Sequence, residues 1–402
     1  MSGVDAREVY YDPYDTAINA DPYPTFARLR DEAPVYYNDR YRFWALSRHA
    51  DVEKAFVNWQ TFASCRSDIL EIVQSGMELP SGVVMFEDPP QHTVHRALMS
   101  RVFTPRRMAE LEDRVRAFCV SCLDPLIGTD RFDVVAALGA ELPMRVIGML
   151  LGIPEEDQPS VRDRQDAALR TARGQPMRLK QDAIANGEMF AEYVDWRAEH
   201  PSDDLMTALL TAEFDDESGV TRRLTRDEVL RYTQVLAGAG NETTGRLIGW
   251  LAKVLADHPD QRRDLVADRS LIPSAIDETL RFEPTGPHIA RYVARDVEYY
   301  GTTIPEGSAI LLLVGAANRD ERRFARAGEF DVHRTDGQHL TFGYGLHFCL
   351  GASLARLEGR VALDELLNRW PEWEVDLGEA RLSATSTVRG WDSMPMVVGE
   401  RP

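Results

Sequence analysis

Two aromatic and β-branched runs about a polar turn, "VYYND…RFWALS" from Val35 to Ser47, predict a β-hairpin. A helical pattern begins near "DPPQHTVHRALMSRVF", with prolines placed before its first turn. From Glu110 to about Trp196 the pattern stays helical, broken at "PLIGTDRF" and "LLGIPEED". Gly and Pro make "RTARGQPMRLKQD", Arg170 to Asp182, a flexible loop. The longest helix is "TRDEVLRYTQVLAGAGNETTGRLIGWLAKVLADHP". Thr225 and Glu228 form a capping box at its start, and Pro259 follows its end. A short helix carries "AIDETLRF", and "RYVARDVEYYGTTIPEGSAILLLVG" reads as a β-hairpin with an "IPEG" corner. One more strong helix follows Cys349, and the tail from Trp373 reads as short strands. The expected class is mainly α with small β-sheets. No Gly/Ser-rich linker divides the chain, so residues 1–402 are expected to form one domain behind a short polar segment of about residues 1–9.

Composition narrows the function classes. Of 402 residues, 44% are hydrophobic, enough for a substantial core. The net charge of −19 argues against nucleic acid as a partner. Four cysteines make no disulfide framework, so a reducing cytoplasm is expected. The charged, Pro-punctuated N-terminus has no signal-peptide core, and "AILLLVGAA" is too short for a membrane span. A monomer without a membrane anchor is expected.

Chemistry concentrates in "TFGYGLHFCLG", Thr341 to Gly351. A thiol at a helix start meets unpaired backbone N–H groups and the positive dipole end, which lowers its pKa. Glycines 343, 345 and 351 let the backbone turn tightly and approach something bulky. Zinc ligand, nucleophile and axial haem ligand all remain open, beside a plain buried cysteine. Cys119 and Cys122, in a predicted helix, read as core. In "AGAGNETTG", Gly238 and Gly240 each cost a helix interior about 1 kcal/mol against Ala. They imply either close helix packing or a locally opened helix with room for dioxygen and water. Glu278 and Arg281 in "ETLR" share a helix face, as do His92 and Arg96 in "HTVHR"; His95 falls off that face and reads as an ordinary surface or packing residue.

"FGYGLHFCLG" resembles the haem-binding signature of the cytochrome P-450 family, with Phe342, Gly345, His347, Cys349 and Gly351 each at the required place. The resemblance extends from about Tyr10 to Val398 and is closest to the soluble bacterial branch. It implies the single-domain fold of that family and haem b (iron protoporphyrin IX), with Cys349 as the axial ligand of its iron. It places Phe342, Gly343, Gly351 and Ala239 against the cofactor, and His92, Arg96, Arg291 and His347 at its propionates. Glu242 and Thr243 match an acid–alcohol pair that handles protons and dioxygen. Glu278, Arg281 and Arg334 match a buried structural triad. The implied reaction inserts one atom of dioxygen into a small molecule, with a peroxide-driven variant or a non-catalytic haem carrier as alternatives. The apolar residues between Ser64 and Phe86 suggest an apolar substrate of lipid, terpenoid, steroid or polyketide type, although the same residues could simply pack a loop. No Rossmann fingerprint is present, so electrons are expected from a separate ferredoxin or flavodoxin. Its docking patch is expected around Arg101, Arg106 and Arg107.

Overall fold

The structure, a computed structural model, describes residues 9–100, 103, 110–178 and 187–399. Arg101, Arg106 and Arg107 lie outside the described residues. The predicted hairpin forms as β1 (Val35–Asn38) and β2 (Phe43–Leu46), paired antiparallel with Val35 opposite Leu46. With β3 (Phe62–Ala63), β4 (Ile289–Val293) and β5 (Ala309–Leu312) it builds a sheet of order β1-β2-β5-β4-β3. Strand β5 lies parallel to β2 and antiparallel to β4. All four β5 residues are buried, which is why "AILL" is a continuous apolar run rather than an alternating one.

The expected single hairpin over 291–315 is two nested ones. The inner pair, Val297–Tyr299 with Thr302–Ile304, turns through Tyr300 and Gly301 at φ 52° and 75°. Two successive left-handed residues make the tight turn that matches strand twist. "IPEG" instead leads from this inner pair into β5.

Helices dominate the rest: α1 (Leu70–Ser75), α2 (Gln91–Ser100), α3 (Glu141–Leu151), α4 (Gln158–Leu169), α5 (Arg226–Asp257), α6 (Ile272–Phe282) and α7 (Ala352–Arg369). The break at "PLIGTDRF" holds an unforeseen strand, Arg131–Asp133, which pairs with Pro395–Val398 from the tail. The tail also forms a short hairpin of β6 (Arg381–Leu382) and β7 (Trp391–Ser393). Among the described residues, no helix is long and apolar enough to cross a membrane.

Helix α5 spans 32 residues, roughly 48 Å at 1.5 Å per residue, and most of its surface is buried. Its capping box is complete. The Glu228 N–H donates to Thr225 Oγ1 at 3.2 Å, and the Thr225 N–H donates to Glu228 Oε2 at 2.7 Å. The helix is unbroken through "AGAGNETTG", so the expected local opening is not seen. Packing accounts for its glycines. A Cβ on Gly240 would meet Ile147 of α3 at 3.3 Å, and one on Gly238 would meet the Gln165 amide of α4 at 3.1 Å. Tightest is Gly245, where a Cβ would stand 2.5 Å from the Gly139 carbonyl oxygen, in the π-helical turn Val135–Gly139. Backbone cannot yield as a flexible side chain does. Gly245→Ala is therefore expected to cost about 1–3 kcal/mol despite alanine's better helix propensity. Denaturant unfolding checks this; a stabilised variant would contradict the close approach.

Candidate active site

The loop before α7 is fixed by its own backbone. The Cys349 N–H donates to the Phe342 carbonyl at 2.8 Å, and the Leu340 carbonyl accepts from Gly343 N–H at 2.8 Å. Gly343 and Gly345 sit at φ 71° and 74°, where a side chain is strained. A Cβ on Gly345 would also press on Val57 at 3.1 Å. Gly351 differs: its φ of −83° suits any residue, and a Cβ there would enter open space. Phe342 itself is buried, with its ring against His339 and Phe348 and beneath the Arg356 guanidinium.

Cys349 precedes the first helical residue, Ala352, by three positions, and the N–H groups of Gly351 and Ala352 donate toward its sulfur. Even so, the expected lowering of its pKa is overturned. Burial pushes the thiol up and outweighs the pull of those amides, Arg96 and Arg356. Cys349 has many neighbours yet keeps accessible surface as a residue. Among the described residues, no group of three or more His, Cys, Asp or Glu could hold a metal ion, which removes the zinc reading. Cys119 is core as expected, and burial pushes its thiol up.

Beside the sulfur the four expected polar residues gather. The rings of His92 and His347 lie 4.2 Å apart. Neither nitrogen of buried His92 has a partner, nor does Nε2 of His347. Burial, reinforced by Arg291, His92 and Arg96, pushes His347 down to about 3; burial lowers His92 as well. Both rings are therefore neutral donors near pH 7. Arg96 donates to the Phe348 carbonyl at 2.5 Å, and Arg291 to the Ala290 carbonyl at 2.8 Å. Among the described residues no carboxylate pairs with either guanidinium within ion-pair distance, and burial lowers the pKa of both. Two guanidiniums, both nitrogens of His92 and Nε2 of His347 lack an acceptor anion, and two propionates fit that need. His95 takes the packing role foreseen for it, its Nδ1 2.7 Å from Glu87 Oε2 and its ring edge-on to Phe214 and Tyr232.

On α5, Ala239 and Thr243 form an accessible stripe along a mostly buried helix, spaced i,i+4. Thr243 Oγ1 donates to the Ala239 carbonyl at 2.8 Å, which leaves the hydroxyl oxygen free to accept. Glu242, about 100° further round the helix, is buried elsewhere. Its Oε1 accepts from Arg246 at 3.0 Å, while Oε2 has no partner. Burial raises its pKa against the opposing pull of Arg246. Arg246 was not singled out from the sequence, although it stands four residues after an acid on one helix. It also donates to Ser383 Oγ at 3.0 Å and Asp392 Oδ1 at 2.9 Å.

Glu278, Arg281 and Arg334 are brought together. Arg281 forks onto Glu278 at 2.7 and 2.8 Å, and Arg334 reaches the same carboxylate at 3.1 and 3.2 Å, all three side chains being buried. Remaining Arg281 donors bind the carbonyls of Asn318, Ala327 and Glu329. Glu278→Gln would leave two buried guanidiniums facing a neutral amide, and a loss of about 3–5 kcal/mol is expected in chemical denaturation. A change below 1 kcal/mol would count against the lock.

Residues 177–387 match the family model "Cytochrome P450". Cytochrome P450 123 of Mycobacterium tuberculosis (strain H37Rv) is 40% identical over 399 residues, covering 98% of each chain. A vitamin D(3) 25-hydroxylase of Pseudonocardia autotrophica is 36% identical and covers 95% of this chain and 94% of its own. A solved structure of a P450 EryK mutant in complex with erythromycin B superposes with a TM-score of 0.85 at 31% identity, covering 96% of this chain and 97% of that one. With signature loop, fold and relatives in agreement across nearly the whole length, the chain belongs to the cytochrome P450 family and is a bacterial-type monooxygenase within it.

Proposed function

We propose that this enzyme inserts one oxygen atom into a predominantly apolar small molecule, with Cys349 binding haem b and a separate ferredoxin or flavodoxin delivering electrons. The observation that carries this reading is Cys349, an accessible residue whose sulfur is faced by two backbone amides, in a cluster with Arg96, Arg291, His92 and His347. Bound there, haem would supply a thiolate-ligated iron able to activate dioxygen. The two amides and Arg96 stabilise negative charge on the sulfur, while the arginines and neutral histidines would hold the propionates. Thr243 offers a hydroxyl that accepts a hydrogen bond while its own proton is held by Ala239. Glu242, raised by burial, can hold and release a proton at Oε2. Because Thr243 and Glu242 point in different directions, water has to carry the proton between them.

The apolar substrate reading has partial support. Of the ten apolar side chains noted from Ile69 to Phe86, Leu70, Ile72, Val73, Val83 and Val84 are core, as the packing alternative required. Ile69, Met77, Leu79, Met85 and Phe86 keep accessible surface and can line a binding site. The related vitamin D(3) 25-hydroxylase and the P450 EryK mutant in complex with erythromycin B support a small-molecule site behind such a wall.

The reduced protein under carbon monoxide should show the thiolate-type Soret band, and Cys349→Ser should lose both the band and turnover; retention of both refutes the reading. Glu242→Gln should keep the band while lowering turnover about 100-fold, the scale of a lost acid–base group. Undiminished turnover would assign the proton route to another residue.

A further inference from the structure

The β6–β7 hairpin is gripped from two sides. From α5, Arg246 binds Ser383, Asp392 and the Trp391 carbonyl, and its stem lies against Gly390, where a Cβ would stand 2.7 Å away. From the end of α4, Thr171 donates its N–H and hydroxyl to the Ala384 carbonyl at 2.9 and 3.1 Å. Arg170 donates to Asp392 Oδ2 at 3.1 Å, so each oxygen of that carboxylate meets a different guanidinium. The result is a row of alternating charge, Glu242–Arg246–Asp392–Arg170. Side-chain exposure along it rises from 6% and 8% to 17% and 54%, so only the last link is easily exchanged with water.

We propose that Arg246 is a positioning residue whose guanidinium is divided between Glu242 and Asp392, and that Arg170 fixes the division by seating the end of α4 on the hairpin. With Arg170 in place, Asp392 is already neutralised and Arg246 remains on Glu242. Without it, Asp392 draws Arg246 toward itself and Glu242 holds its proton more tightly. The segment after Arg170 also reaches α1, since the Met177 N–H donates to Glu71 at 2.7 Å. A molecule that displaces this segment therefore acts on the acid through this row. The inference rests on the reading of Glu242 as the proton-handling group. Asp166 of α4 also faces Glu242, and Asn241 reaches Asp166 at 3.5 Å; Arg162 is committed to Glu141 at 2.6 Å. Arg170 also acts on Asp166, so the titrations below are compared in an Asp166→Asn background.

The test is the carboxyl titration of Glu242 in the haem-loaded protein, read by difference infrared spectroscopy and assigned with Glu242→Gln. Arg170→Gln should raise proton affinity about threefold, roughly half a pH unit, and Arg170→Lys should restore it. Asp392→Asn should lower the affinity, and adding Arg170→Gln to it should change nothing further. An unmoved titration in Arg170→Gln, or the same shift in both backgrounds, overturns the row. The carbon monoxide band of each variant separates this from the parent reading. Loss of the thiolate band in the unmutated protein would sink the function, whereas a normal band with an unmoved titration sinks only the row.

Discussion

A single carboxylate shared by two arginines, Glu278 between Arg281 and Arg334, holds the path of the chain toward Cys349. Arg281 spends its other donors on three carbonyls from residues 318 to 329, and Asn318 in turn binds Leu340 N–H and Thr341 Oγ1. Thr341 is anchored again to the Leu280 carbonyl at 2.6 Å. The segment entering the loop is thus tied to α6 through bonds made out of water, where each unmade bond is expensive. Such a tether converts helix position into sulfur position.

Around that sulfur the electrostatics are deliberately unbalanced. The chain is acidic overall, yet it gathers two guanidiniums and two neutral imidazoles with, among the described residues, no carboxylate in ion-pair contact with either guanidinium; Asp68 and Asp88 act on Arg291 only from a distance. Burial moves every one of these groups toward neutrality, and it does the same to the thiol. A bound anion and a cation at the sulfur would reverse each of those penalties at once, so affinity for an iron porphyrin is a property of the cluster rather than of the cysteine alone.

Much of this was legible in the linear chain. The capping box of α5, the first hairpin, the cysteine loop and the i,i+3 pair in "ETLR" are local, and local rules recover them. What escaped has long sequence separation. The parallel pairing of Phe43 with Ala309 and the strand Arg131–Asp133 under the tail depend on partners hundreds of residues away. Spacing could have suggested Arg246 from Glu242, but nothing local ties it to Asp392. The fall of Cys349 into a desolvated position likewise reversed a pKa expectation drawn from helix-terminus physics alone.

The meeting of Gly139 and Gly245 has a mechanical outcome. Two polypeptide backbones touching without side chains between them have no soft layer to compress, so α5 can neither roll nor slide against its neighbour there. The wall bearing Thr243 is in effect an anvil. Any give around the Thr243 stripe then has to come from elements other than this crossing.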